Sequence, residues 1–170
     1  LIHWLPKPRH RALLDRLGHG FFAREENLNL MDARDFEAIA AQLYGEMLEA
    51  GFTTVVEFHY LHHDPQGRPY SDRAELAERI VAAAAASGIG LTLLPVMYHQ
   101  GGCGGVPLQP GQRRFALAAD EVLTLVAALR RRHAGLVVGA APHSLRAVTP
   151  DSLRALLSGM PQGPLHIHAA

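Results

Sequence analysis

The sequence predicts an α/β fold built on parallel strands, and three observations carry that reading. Amphipathic segments alternate with short β-branched or apolar ones, in the order helix and then β-α-β-α-β-α-β. The connections between them are short. The run Ile89-Gly-Leu-Thr-Leu-Leu-Pro-Val-Met97 is continuously apolar, as expected of a strand buried on both faces of a parallel sheet. Right-handed βαβ units of this kind build either a doubly wound sheet or part of a (β/α)8 barrel.

Each element has its own signal. In residues 35–50, Phe36, Ile39, Ala40, Leu43, Met47 and Leu48 recur at the helical period, and Gly51 stands where a helix ends in the left-handed conformation. Thr53-Thr-Val-Val-Glu-Phe-His-Tyr60 is β-branched and aromatic, the composition of a strand. Asp64-Pro-Gln-Gly67 is turn chemistry, and Ser71 reads as the N-cap of a helix over 72–87 that Gly88 ends. The apolar run to Met97 is the second strand. A helix over 118–133 carries Asp120 and Glu121 in its first turn and Arg130-Arg-Arg-His133 in its last, the distribution that the helix dipole favours. That basic run is therefore a helix end rather than a nucleic-acid patch. Residues 136–141 predict the third strand. Thr149-Pro150 supplies an N-cap and a proline at the first helical position of a helix to about residue 158, and 165–170 alternate as a fourth strand.

Composition narrows the function classes. The 170 residues suffice for a real core, and 48% of them are hydrophobic, so disorder is not expected. Sixteen basic and sixteen acidic residues give no surplus of charge to attract nucleic acid or an anionic membrane, so the expected partner is a small molecule. One cysteine fits a reducing compartment, and no apolar run reaches the roughly 18 residues of a membrane span, so a cytoplasmic location is expected. The chain begins at Leu1 and stops inside an apolar stretch, which predicts an interior piece of a longer protein. Eleven histidines are the one anomaly, and imidazole is both metal ligand and acid/base.

Motifs favour neither kind of phosphate cradle. No Gly-x-Gly-x-x-Gly or P-loop follows the first strand, and Gly101-Gly-Cys-Gly-Gly105 opens no helix. Those glycines suit a loop that needs positive φ or lies against a ligand. Cys103 has no recognisable base partner and reads as a small loop residue.

Barrel enzymes carry their chemistry at the C-terminal ends of strands. Here those ends are Glu57-Phe-His-Tyr60, Met97-Tyr-His-Gln100, Pro142-His-Ser-Leu-Arg146 and His166-Ile-His168, and every one holds a histidine. Glu57 and His59 share one face, Phe58 and Tyr60 the other. Tyr60 is either a packed ring with a satisfied hydroxyl or a donor to a ligand at the strand tip. His62 and His63 lie in a turn and are expected to be solvated. His143 and Arg146 pair an imidazole with a planar guanidinium that can grip a carboxylate at two points, which suits an acidic small molecule. His166 and His168 point to one face, and imidazole suits zinc, but two histidines do not complete a metal site.

Six stretches, Ala41-Gln-Leu-Tyr-Gly-Glu-Met-Leu-Glu-Ala-Gly51, Glu57-Phe-His-Tyr-Leu-His-His-Asp64, Leu93-Leu-Pro-Val-Met-Tyr98, Gly111-Gln-Arg-Arg-Phe115, His143-Ser-Leu-Arg-Ala-Val-Thr-Pro150 and His166-Ile-His-Ala-Ala170, stand out together. In these motifs the chain resembles the formimidoylglutamate deiminase family of the amidohydrolase superfamily. The resemblance runs in order from about Phe36 to the last residue. It implies a partial (β/α)8 TIM-like barrel of the metal-dependent amidohydrolase type, about strands 2 to 5 with their helices, over 31–170. Residues 1–30 form a poorly matching segment, in which Arg24 is a weak counterpart of a substrate-binding arginine. The implied reaction converts N-formimidoyl-L-glutamate to N-formyl-L-glutamate and ammonia in histidine degradation. By residue, Tyr60, His143 and Arg146 match substrate-binding positions, His168 matches a metal ligand, and His166 matches a neighbour that is not a ligand.

The same resemblance implies one divalent metal ion, zinc with iron as the alternative, and a homo-oligomeric full-length enzyme. It also marks what this stretch lacks. A His-x-His pair with a following glutamine belongs upstream of Leu1, a general acid/base glutamate belongs three residues after His168, and a histidine and an aspartate belong further on. The 170 residues alone are therefore expected to be inactive, and their exposed parallel edges to self-associate. Two other readings remain: a guanine-type deaminase of the same superfamily, and a non-catalytic small-ligand-binding α/β domain.

Overall fold

A computed structural model describes residues 31–160 and 162–169. The segment 1–30, with Arg24, lies outside the described residues. Helix α1 spans Ala33–Glu49, starting two residues before the apolar period announces it. Asp32 explains the early start: its carboxylate accepts from the Arg34 and Asp35 amides at 2.7 and 2.9 Å while the Asp35 carboxylate accepts from the Asp32 amide. Gly51 follows the helix with φ +92°, and the Phe52 amide donates back to the Met47 carbonyl. This is the glycine-terminated helix end that the sequence predicts.

Strand β1, Thr54–His59, runs parallel to β2, Gly90–Met97, in register from Thr54 opposite Gly90 to His59 opposite Pro95. Between them lies α2, Glu75–Ser87, which ends on Gly88 at φ +81°. Ser71 does not cap this helix. The Asp72 carboxylate closes the preceding turn instead, accepting from the Ala74 amide at 2.9 Å, while Arg132 holds its other oxygen at 2.7 Å. A turn centred on Asp72 thus displaces the helix start to Glu75. Helix α3, Ala119–Arg132, ends in the expected basic run, and that run is used internally. Arg132 bridges Asp72 and Glu78, His133 meets Glu78, and Arg130 donates to the Val138 carbonyl.

The predicted third strand is two short ones, β3 Val137–Val138 and β4 Ala141–Pro142, both parallel to β2. The register is the same on both sides of the gap, so no residue is bulged out. Leu93 and Met97 accept from the Gly139 and His143 amides, so the alternate residue between them, Pro95, faces the same neighbour. Pro95 has no N–H to give, and the ladder opens there. Gly139 is also a close approach: a Cβ on it would meet the Pro164 carbonyl oxygen and come within 2.7 Å of Leu94 Cδ2. Helix α4, Pro150–Gly159, starts on Thr149, whose hydroxyl accepts from the Ser152 amide.

The expected fourth strand over 165–170 is reduced to two parallel bridges, Ala140 with Leu165 and Ser144 with His168. The amides of His166 and His168 donate to the Ala140 and His143 carbonyls, so the segment still lies beside β4. The strands are therefore neighbours in chain order. Helices α1 and α2 pack together, as do α3 and α4, over one core that includes Tyr44, Met47, Ile80, Leu93, Val122, Leu129 and Leu156. An unreversed parallel order with its helices on one face is the wall of a barrel, since a doubly wound sheet reverses direction and carries helices on both faces. Burial alternates along β1, with Val55, Glu57 and His59 buried and Val56 exposed on the opposite face. In the helix layer Tyr44 donates to the Glu57 carboxylate at 2.9 Å.

His62 and His63 are not solvated, as their turn position suggested. They are 4% and 7% exposed. The chain between β1 and α2 is drawn inward by fully buried Arg114, which donates to the His63 and Met31 carbonyls while its own carbonyl accepts from the His62 amide. His62 Nε2 donates to the Val96 carbonyl at 3.0 Å, and its ring stands edge-on to His59 at 5.0 Å. Burial lowers both pKa values, that of His62 to about 3.

The folded state thus refuses protons that the unfolded chain accepts. This stability is complete above the unfolded pKa of about 6.5 and is lost as pH falls toward the folded value. At pH 5 the loss is about 2 kcal/mol for His62. Urea midpoints measured at pH 7.5 and 5.0 should therefore drop, and His59→Phe should flatten the drop.

Candidate functional site

Three side chains converge at the C-terminal ends of the strands, each the first residue past a strand or directly beside one. Tyr60 follows β1, His143 follows β4, and His168 is bridged to Ser144. Their rings form a triangle: Tyr60 to His143 at 5.5 Å, and His143 to His168 at 5.4 Å, both edge-on. The third side is a hydrogen bond of 3.1 Å between the Tyr60 hydroxyl and His168 Nε2. Phe58 lies 5.1 Å from the His168 ring, and Tyr98 and Phe115 close the far side. Phe58 and Tyr60 therefore point away from the helix layer, toward the inner face of the wall, which settles the face left open by alternation alone.

The electrostatics follow from this enclosure. Burial, with Glu57 as the next cause, raises the Tyr60 pKa to about 12, so the hydroxyl keeps its proton. Its O–H is then the donor and His168 Nε2 the acceptor, so the hydroxyl sits on the imidazole lone pair that a divalent ion would take in its place. Burial, reinforced by the Arg146 charge, lowers the His143 pKa to about 4. His143 is thus neutral near pH 7, with Nδ1 held by Ser144 Oγ at 2.9 Å.

Arg146 stands at the exposed rim. Its Nη1 donates to the Tyr98 hydroxyl at 3.4 Å and to the Gly101 carbonyl at 3.5 Å, both long. The glycine loop is shaped as the sequence suggests: Gly104 and Gly105 have φ of +81° and +82°, and the Gly101 amide closes the loop on the Val106 carbonyl. Gln100 fixes the backbone below, donating to the Arg146 and Val148 carbonyls.

Of the residues singled out by sequence, Tyr60, His143 and His168 are thus brought together, and Arg146 joins them through Tyr98. His59 and His62 turn into the helix layer, His99 and His166 are exposed, and Cys103 is an exposed thiol. Tyr98 and Gln112 were missed. For Tyr98 a signal existed, since it is the first residue past β2, just as Tyr60 and His143 follow theirs.

Among the described residues no three His, Cys, Asp or Glu side chains gather as a metal cage. His168 fits as one imidazole donor, and a metal bound here needs further donors from outside the described residues. No helix among the described residues is long and apolar enough to cross a membrane.

No protein-family model matches the chain. It is 51% identical over 143 residues to a formimidoylglutamate deiminase from Pseudomonas aeruginosa, a match covering 82% of this chain and 32% of that protein. Among solved structures it resembles an amidohydrolase from Brucella melitensis, with a TM-score of 0.81 and 43% identity over 96% of this chain and 36% of the other. A triazine hydrolase from Arthrobacter aurescens, at 16% identity and a TM-score of 0.63 over 94% of this chain and 34% of the other, shares the fold. The chain thus spans about a third of the length of each relative, as part of a barrel.

Proposed function

The chain belongs to the formimidoylglutamate deiminase family of amidohydrolases, and from that premise we propose that the protein carrying it hydrolyses N-formimidoyl-L-glutamate to N-formyl-L-glutamate and ammonia. The observation that supports this most is the grouping of Tyr60, His143 and Arg146 beside His168 at one end of the strands. A glutamyl substrate carries two carboxylates, and this group offers the donors they need. Arg146 Nε and Nη2 make no bond to a described residue, which leaves the edge of the guanidinium that grips a carboxylate at two points open.

His143, kept neutral and oriented by Ser144, supplies a second donor or acceptor without adding charge. Tyr60 supplies a protonated hydroxyl close to the reacting end. His168 is proposed as one ligand of a divalent ion, zinc by preference because imidazole suits it. When bound, such an ion supplies hydroxide near neutral pH by lowering the pKa of water. The chain's residues hold and orient the substrate against that end and exclude solvent through Phe58, Tyr98 and Phe115. A cytoplasmic place in histidine degradation follows from the substrate and agrees with the single cysteine.

The test is ammonia release by the full-length protein from N-formimidoyl-L-glutamate, with N-formyl-L-glutamate identified as the second product. Release of ammonia from guanine instead, or binding of the substrate without turnover, overturns the proposal.

A further inference from the structure

We infer that Tyr98 is a positioning residue for the carboxylate clamp, setting both of its arms at once. The inference rests on the proposed function and extends it to a side chain that the sequence did not single out. Tyr98 is 4% exposed, and its ring stands edge-on to His143 with centroids 4.7 Å apart. Its hydroxyl meets two donors, Gln112 Nε2 at 3.1 Å and Arg146 Nη1 at 3.4 Å. Gln112 cannot turn its carbonyl oxygen to that hydroxyl without losing another bond, because Oε1 already accepts from the Gln109 amide at 2.9 Å. The amide orientation is therefore fixed, and the NH2 end faces Tyr98.

A hydroxyl oxygen with two acceptor sites, one taken by Gln112, offers the other to the guanidinium. The short helix that carries Gln112, Pro110–Gln112, thereby reaches Arg146 through one phenol. The bond engages Nη1 and turns the Nε and Nη2 edge outward, while the ring face fixes where His143 stands. Among the described residues Arg146 otherwise holds only the Gly101 carbonyl on the glycine loop, so without Tyr98 an exposed, many-rotamer side chain must be ordered by the substrate itself.

The test uses the full-length protein and the variants Tyr98→Phe, Arg146→Ala and the double variant, with kcat and KM for N-formimidoyl-L-glutamate. Phenylalanine keeps the ring against His143 and Phe115. Tyr98→Phe should raise KM about tenfold with kcat changed less than twofold, because the clamp grips the substrate away from the reacting carbon. In the Arg146→Ala background the same change should have no further effect, since the two residues act through one hydrogen bond. An unchanged KM in Tyr98→Phe, or full additivity in the double variant, overturns the positioning role. Should Tyr98→Phe fold poorly by thermal melting, Gln112→Glu gives the second reading. A carboxylate placed against Tyr98 and beside Arg146 should raise KM through competition for the guanidinium, and an unchanged KM there overturns the role equally. Failure of the unmodified protein to release ammonia would instead remove the proposed function.

Discussion

Replacing His168 with alanine is expected to strip the full-length protein of its divalent ion and, with it, of turnover. The reasoning begins with position. The His168 amide is bonded to the His143 carbonyl, so the residue is fixed beside β4 although the segment around it makes only isolated bridges. The side chain is half-buried among Phe58, Tyr60 and His143, and Nε2 accepts from a hydroxyl that burial keeps protonated. The lone pair that the hydroxyl now occupies is the one a metal would take when it displaces that bond. Loss of a group that merely hydrogen-bonds a metal ligand already costs about 10- to 100-fold in affinity or activity, and loss of a ligand should exceed that. Elemental analysis after dialysis should show the metal gone. Folding should survive, because the residue is not part of the main apolar core. Tyr60→Phe is the control: its hydroxyl sits on the Nε2 lone pair that a metal would take, not on the other ring nitrogen that orients a ligand, so its loss leaves the imidazole donor in place and metal content should persist while KM rises. A His168→Ala protein with full metal content and full rate would remove His168 from the ligand set.

Arg146→Ala should lower kcat/KM for N-formimidoyl-L-glutamate by about a hundredfold. Charge-assisted hydrogen bonds contribute about 1.5 to 3 kcal/mol each, and each 1.36 kcal/mol is a factor of ten in rate, so removing a two-point grip costs roughly two decades or more. Because the guanidinium meets the substrate away from the carbon that changes, most of the loss should fall in KM. Arg146→Lys should recover little, since an ammonium lacks the fork. Arg146 is exposed and its described bonds are long, so folding should be untouched and the thermal midpoint should match that of the unmodified protein. A kcat/KM within threefold of the unmodified protein would exclude Arg146 from substrate contact.

Much of the wall was legible in the sequence because local signals and packing agree there. The continuous apolar run of β2, the glycine ends of α1 and α2, and the Thr149-Pro150 start of α4 all appear where periodicity and cap chemistry place them. The misplacements share a cause, which is a contact distant in sequence. Asp72 moved the start of α2 because Arg132 from α3 holds it, and His62 and His63 are buried because Arg114, some fifty positions on, ties their backbone inward. The open ladder at Gly139 depends on Pro95 facing the third strand rather than the first, a side that sequence periodicity leaves undefined.

The site was legible by its strand tips. Tyr60 and His143 stand out as polar residues at the ends of apolar runs, and His168 and Arg146 as parts of family motifs. Tyr98 occupies the same tip position, but a tyrosine after an apolar run is usually core, and only the Gln112 and Arg146 hydrogen bonds distinguish it. Histidine count misled in the other direction: of the four strand ends that carry one, His59 and His99 do not enter the cluster.

The proposed recognition of two carboxylates by this end of the barrel is measured most directly with substrates that lack one of them. The full-length protein and its Arg146→Ala variant should be compared on N-formimidoyl-L-glutamate, on N-formimidoyl-4-aminobutyrate, which lacks the α-carboxylate, and on N-formimidoyl-L-2-aminobutyrate, which lacks the side-chain one. The unmodified protein should lose about a hundredfold or more in kcat/KM on at least one analogue, because a site built for a charged partner is left unpaired. That loss should vanish in Arg146→Ala. Equal kcat/KM on all three substrates, or a preference that survives intact without Arg146, would contradict a carboxylate clamp at this site.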